Sequence, residues 1–262
     1  MSDAGEGETG AEGHGGGGPA GLAKGLAVIE TFGRAYTQLT VSEAAQATGL
    51  TRATARRCLL TLTELGYLTH DGKYFRPTPR MGRLGSSYTR TDPLPRLAQP
   101  HLASACQALG ESISLAELDD GVAVFVARAE AERIVSAGVR VGARLPAYSS
   151  ATGRVLLAAL PDEELDVYLA GCRPEPRTEK SLTDVEEIRR RIVRARTDEV
   201  AFTDEELELG MRSMATPVKD AQGATRAALS VSAFTARISL EDMREQFLPV
   251  LKEHAERVGR ML

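Results

Sequence analysis

The chain of 262 residues has little cysteine: Cys58, Cys106 and Cys172 lie far apart and show no CxxC spacing. That excludes a disulfide framework and supplies no zinc-ligand pattern, so a reducing cytoplasm is the expected compartment. No apolar run approaches membrane-spanning length, and the acidic, glycine-rich N-terminus lacks the positive charge of a signal peptide. A soluble protein with no membrane partner is expected. The glycines of residues 1–21 form no phosphate loop, because no strand precedes them and no GK[ST] follows. His70, His101 and His254 have no metal-ligand spacing, and no GxSxG elbow precedes a helix. Acidic pairs such as Asp204 with Glu205 have no nucleophile, base and orienting group around them. An enzyme, a metal and a cofactor are therefore not expected.

Charge is unevenly spread. The net charge is −4, yet residues 22–83 carry nine Lys or Arg against four Asp or Glu, a local balance of +5. A basic segment in a mildly acidic protein points to a nucleic-acid partner for that segment alone. Residues 1–21 lack the apolar side chains needed to offset ordering entropy and read as a disordered tail.

Within the basic segment, Leu39 to Leu68 holds two adjacent helix starts. Thr40 followed three residues later by Glu43 is a capping box, so a short helix begins at Val41, and Gly49 supplies its left-handed stop. Thr51 caps a second helix in which Ala55, Cys58, Leu59, Leu62 and Leu65 recur as one apolar stripe. Arg52, Thr54, Arg56 and Arg57 stand on its other face, in the first two turns. That is the layout of a helix-turn-helix whose second helix enters the major groove, where arginine bonds guanine or neutralises phosphate. Two strand-like runs follow, joined at Asp71-Gly72, a dipeptide that favours a type I′ hairpin. The hairpin reads as a wing, with Lys73 and Arg76 placed where it would lie against the DNA backbone or minor groove. A helix over Leu22, Leu26, Ile29 and Phe32 completes a three-helix core.

Four segments result: the tail 1–21, a winged helix-turn-helix over 22–78, a linker helix within 79–95, and a second domain over 96–262. A helix is predicted over Pro79 to Arg90, broken by the prolines of TDPLPRLAQP, and another over Arg96 to Leu109. ISLAELDDGVAVFVARAE reads as two strands about Asp119-Asp120-Gly121, and IVSAGVRVG as a further strand. SSATGRVLLAAL, DEELDVYLA and DVEEIRRRIVRARTDE read as helices, MRSMATPVKDAQGATRAALSVSAF as two strands joined through Asp220 to Gly223, and Leu240 to Leu262 as a closing helix. Short turns between strands interleaved with helices predict an α+β domain with a largely antiparallel sheet.

SSATGR stands just before a helix, where free amides favour an anion such as a carboxylate; equally, Ser150 or Thr152 could serve only as a cap. On the last strand, Ser230 and Ser232 alternate with Leu229, Val231 and Ala233, which places two hydroxyls on one face.

The blocks KGLAVIETF, LTVSEAAQATGLTRATARRCLLTLTELGYL, LPRLAQPHL, VGARLPAYSSATGRVLLAAL, DEELELGMRSMATPV and AALSVSAF, in this order, resemble the IclR family of transcriptional regulators, nearest the PcaR, PcaU and PobR subgroup. The resemblance spans about residues 22–262. It implies a GAF-like effector domain after the linker, binding to double-stranded operator DNA, a homodimer or homotetramer, and a small-molecule effector, an aromatic or other organic acid. It also implies an effector pocket at Ile134, Ala137, Ser150, Ala151, Thr152, Asp204, Ser213, Ser230 and Ser232; some members carry Cys where Ser213 stands. An architectural DNA-binding protein with no effector is the alternative.

Overall fold

A computed structural model describes residues 20–32, 36–85, 92–132 and 139–262. The tail predicted for residues 1–21 lies outside the described residues save for its last two, which open α1. The far half of the linker helix and most of IVSAGVRVG also lie outside them. The chain divides into two compact units at Ser87–Tyr88.

The first unit contains α1 (Ala20–Thr31), α2 (Val41–Thr48), α3 (Arg52–Glu64) and a hairpin of β1 (Leu68–His70) with β2 (Phe75–Pro77). The Thr40 hydroxyl accepts the Glu43 amide, and the Glu43 carboxylate accepts the Thr40 amide at 2.7 Å, so both orphan donors of the first turn of α2 are satisfied. Gly49 ends α2 at φ 68°, a conformation open to glycine without strain. Val28, Leu39, Ala44, Ala55, Leu59, Leu62, Leu68 and Phe75 close the core. Burying each large side chain contributes about 1.5–3 kcal/mol. Leu39 exchanges two backbone hydrogen bonds with Phe75, tying the approach to α2 onto the hairpin.

The hairpin turn is not type I′. Such a turn needs positive φ at both central residues, whereas between His70 and Phe75 only Gly72 has it. The Asp71 carboxylate accepts the amides of Lys73 (3.0 Å) and Tyr74 (2.7 Å), which turns the chain by side-chain capture instead.

The second unit is a six-stranded antiparallel sheet in the order β5-β4-β3-β8-β7-β6, with helices on both faces. The strands are β3 (Ile113–Asp119), β4 (Val122–Ala129), β5 (Arg144–Pro146), β6 (Ala201–Asp204), β7 (Met211–Lys219) and β8 (Thr225–Phe234). One face meets α4 (Leu94–Leu109) and α8 (Leu248–Gly259) through Ile113, Leu115, Met214, Leu229 and Val231. The other meets α5 (Ala151–Leu157), α6 (Asp162–Gly171) and α7 (Val185–Asp198) through Ala116, Phe125, Ala215 and Ala228. This is the predicted α+β architecture.

Two helix boundaries differ from expectation, both at prolines. α4 starts at Leu94 and runs through Pro95 and Pro100. Pro95 occupies the first turn, where a missing N–H costs nothing. The closing helix is not continuous: one α turn (Leu240–Asp242) passes into a π turn (Met243–Phe247) before α8. Pro249 cannot donate to the carbonyl of Glu245, and its ring crowds that carbonyl, so the regular ladder is interrupted there.

Candidate functional site

On the first unit, the exposed start of α3 carries the predicted DNA-reading side chains. Thr51 caps the helix by accepting the Thr54 amide, and the two hydroxyls lie 3.0 Å apart, so both threonines spend polar capacity on each other. At about 100° per residue, Arg57 lies nearly opposite the buried stripe of Ala55, Leu59 and Leu62. Arg56 is turned from it toward α2. Arg52 is closest to α2, and its guanidinium donates to the Ser42 hydroxyl. Arg56 and Arg57 are exposed and make no ion pair among the described residues.

The wing charges are held more firmly. Arg76 donates to Asp71 at 2.6 Å and to Gln38 at 2.9 Å, and both Lys73 and Arg76 lie over the Tyr74 ring, at 4.9 and 5.8 Å. The Tyr74 and Lys73 amides, then Arg76, hold the Asp71 carboxyl well below its usual range. Thr40 is committed to its capping box, and the Thr40 amide bond is the main reason Glu43 stays ionised to lower pH than usual.

The second unit contains a cavity of about 260 Å³ between the start of α5, the sheet and the β6–β7 connection. Six of the nine predicted effector residues line it: Ser150, Ala151, Thr152, Ser213, Ser230 and Ser232. Their convergence follows from register, since Ser213 pairs with Ser232 across β7 and β8, and Ser230 faces Ala215 on the same strand pair. The Ser213 and Ser232 hydroxyls are 2.8 Å apart. Ser230 is 4% exposed and donates to the Ser114 carbonyl at 3.3 Å. Phe125, Val139, Leu145, Leu207 and Met211 supply apolar wall. Asp204 is not among the lining residues; its carboxylate accepts from Arg212 at 3.0 Å. Ile134 and Ala137 lie outside the described residues.

Sequence reasoning overlooked the framework that carries this cavity. Arg154, on α5, is 1% exposed. It donates from Nε to the Tyr148 carbonyl at 2.9 Å and makes a bidentate pair with Glu206, at 3.1 and 2.5 Å. Glu206 lies in the β6–β7 loop whose next residues, Leu207 and Glu208, line the cavity. Thr178 and Ser181 donate their hydroxyls to the carbonyls of Glu205 and Glu206, both at 2.6 Å, and Lys180 pairs with Glu205. The Lys180 ammonium, more than the Gly210 amide, lowers the Glu205 carboxyl below its ordinary value. A lone arginine inside the apolar run ATGRVLLAAL was the signal available. Gly153 follows from the same crowding, because a Cβ there would stand 2.3 Å from the Ala147 backbone.

Among the described residues no group of three or more His, Cys, Asp or Glu could hold a metal ion, and no helix is long and apolar enough to cross a membrane. Residues 21–72 match the IclR helix-turn-helix domain, and residues 86–260 match the C-terminal domain of the bacterial transcriptional regulator IclR. The chain is 39% identical over 231 residues to a Pca regulon regulatory protein of Pseudomonas putida, covering 88% of this chain and 79% of that one. It is 36% identical over 248 residues to a p-hydroxybenzoate hydroxylase transcriptional activator of Acinetobacter baylyi, covering 93% and 92%. The crystal structure of an IclR homolog from Microbacterium hydrocarbonoxydans complexed with 4-hydroxybenzoate matches at a TM-score of 0.77 and 26% identity, over 92% of this chain and 98% of that one. With both domains matched in order, a winged helix-turn-helix followed by an effector domain, the chain belongs to the IclR family of DNA-binding transcriptional regulators.

Proposed function

We propose that this regulator is controlled by a small aromatic acid held in the cavity between α5 and strands β7 and β8, and that it grips its operator as a dimer. The observation that carries the proposal is the placement of Ser213, Ser230 and Ser232 on one sheet face, with Ala151 and Thr152 opposite, around a space the size of a single-ring ligand. A sheet face under helices is ordinarily apolar; three hydroxyls on this one, in a cavity whose wall also carries Phe125, Val139, Leu145, Leu207 and Met211, suit a flat ring with polar substituents. The relative that activates a p-hydroxybenzoate hydroxylase and the homolog complexed with 4-hydroxybenzoate point to the same class. Ser150 both caps α5 and shapes the floor, and Asp204 acts indirectly by fixing Arg212.

On the DNA side, Arg56 and Arg57 are the main readers of α3, joined by Arg52, the Thr40, Thr51 and Thr54 region, and the wing residues Lys73 and Arg76. The dimer reading rests on need and on surface. One winged helix covers too short a site for genomic specificity. The same unit also exposes Leu22, Leu26, Leu65 and Leu84, apolar residues that a second copy would cover. The test is a thermal-shift screen of the full chain against aromatic and aliphatic carboxylic acids, followed by operator binding with any hit. A hydroxylated benzoate is expected to raise the melting temperature and change operator affinity. Indifference to every acid would leave a DNA-binding protein without an effector of this class.

A further inference from the structure

Opposite charges meet where α1 begins. Residues 1–19 contain Asp3, Glu6, Glu8 and Glu12 and no Lys or Arg, a charge of −4, and they run directly into α1 at Ala20. The start of α1 shares a surface groove with the recognition helix: Gly21, Leu22 and Lys24 line it from α1, Thr54 and Arg57 from α3. The acidic segment is therefore tethered beside the predicted DNA-reading side chains. Lys24, Arg56 and Arg57 are exposed and make no ion pair among the described residues, and the first turn of α1 carries no acidic residue to balance the positive end of its dipole. Arg76, by contrast, is already committed to Asp71.

Tether length decides what the acidic residues can reach. Glu12 can stand up to about 28 Å from Ala20 and Asp3 about twice as far, whereas a folded unit of this size is about 30 Å across. The cations of this unit are in range, and those beside α1 are nearest. A tether this short holds its charges at an effective concentration near the millimolar range, where ion pairs worth little singly are still occupied part of the time. After Met1 the segment has no large apolar side chain, so it offers nothing to the leucines of the groove and matches only its cations. Resting on the reading of α3 as the DNA-facing helix, we propose that residues 1–19 dock on Lys24, Arg56 and Arg57 and compete there with DNA phosphate. Duplex of any sequence must then displace the four carboxylates. Affinity for random DNA is lowered most plainly, because phosphate contacts supply nearly all of it.

The experiment is fluorescence anisotropy of the full chain with a random-sequence duplex over a salt series. Wild type is compared with a neutralised segment (Asp3→Asn, Glu6→Gln, Glu8→Gln and Glu12→Gln), with Arg56→Gln plus Arg57→Gln, and with both sets combined. The altered arginines are exposed, so the variants are expected to fold. Neutralisation should tighten binding by about three- to tenfold at low salt, the range that a few exposed ion pairs supply, and the gain should fade as salt shortens the Debye length below about 10 Å. In the arginine variant the gain should shrink to about half or less, because part of the seat is gone. An unchanged or weaker affinity after neutralisation overturns the proposal, and the α3 reading stands if the arginine variant still binds less tightly than wild type. A gain of equal size in both backgrounds would make the segment a diffuse repulsive charge with no seat on α3, which also overturns it. If the arginine variant binds the duplex as wild type does, the α3 reading falls and this inference with it.

Discussion

Arg154 and Glu206 face each other as a bidentate pair beside the cavity under α5, one on helix α5 and the other in the β6–β7 loop, with the arginine 1% exposed. Breaking it by Glu206→Gln strands a buried guanidinium, which should destabilise the second unit by about 3–5 kcal/mol. Arg154→Met with Glu206→Leu removes both charges and should recover much of that loss. Urea unfolding of the wild type and the two variants measures this; equal stability of the single variant and the wild type would mean that the pair does not hold the loop.

For the DNA-binding unit, Arg57→Ala and Arg56→Ala should each weaken operator binding. A base contact costs about 1–3 kcal/mol, whereas a phosphate contact flattens the salt slope by about one. Arg52→Ala should weaken binding less, because its guanidinium already serves Ser42. Fluorescence anisotropy at several salt concentrations separates the cases, and three unaltered affinities would remove α3 from the DNA.

At the cavity floor, Ser230→Ala combined with Ser232→Ala should leave folding and effector-free operator binding near wild type. The same pair of changes should weaken the effector by about 1–3 kcal/mol, the cost of leaving its polar atom unpaired. A dissociation constant unchanged in calorimetry would exclude these serines from the site.

His254, on α8, is buried, and its Nδ1 has no hydrogen-bond partner among the described residues. Burial chiefly, then Arg257 and more weakly the facing His101, push its pKa below the ordinary 6.5, with Glu253 opposing. The fold therefore favours the neutral ring, and the unfolded chain takes up the proton more readily. Stability is fully present above 6.5 and is lost as pH falls through that value toward the depressed one. Melting temperatures taken downward from neutral pH should decline in wild type and decline less in His254→Leu; parallel curves would assign the pH dependence to other groups.

Most of the architecture was legible because its signals are local. Thr40 with Glu43, Gly49 and Thr51 announce two helices and the turn between them, and period-two alternation in β8 announces the face on which Ser230 and Ser232 lie. The sheet edges were not legible: β5 and β6 are only three and four residues long, too short to show a period. The partners of Asp204 and Arg154 were hidden for a different reason. Asp204 meets Arg212 eight residues away and Arg154 meets Glu206 fifty-two away, and pairings made by tertiary packing leave no spacing to read. The type I′ turn failed because the Asp71 side chain captured two amides, a competing local bond that a dipeptide preference does not weigh.

The alternation along β8 also separates two kinds of change the protein can undergo. Leu229, Val231 and Ala233 belong to the core against α4 and α8, while Ala228, Ser230 and Ser232 face the α5 side. Of the second set, Ala228 is packed in the core under α5, whereas Ser230 and Ser232 line the cavity, so changes at those two serines should alter its chemistry without touching a side chain in the α4–α8 core. On the proposed effector reading, ligand preference should be open to drift at little cost to the scaffold, one hydroxyl at a time, and directed evolution toward a new inducer would begin with Ser230, Ser232 and their neighbour Ser213.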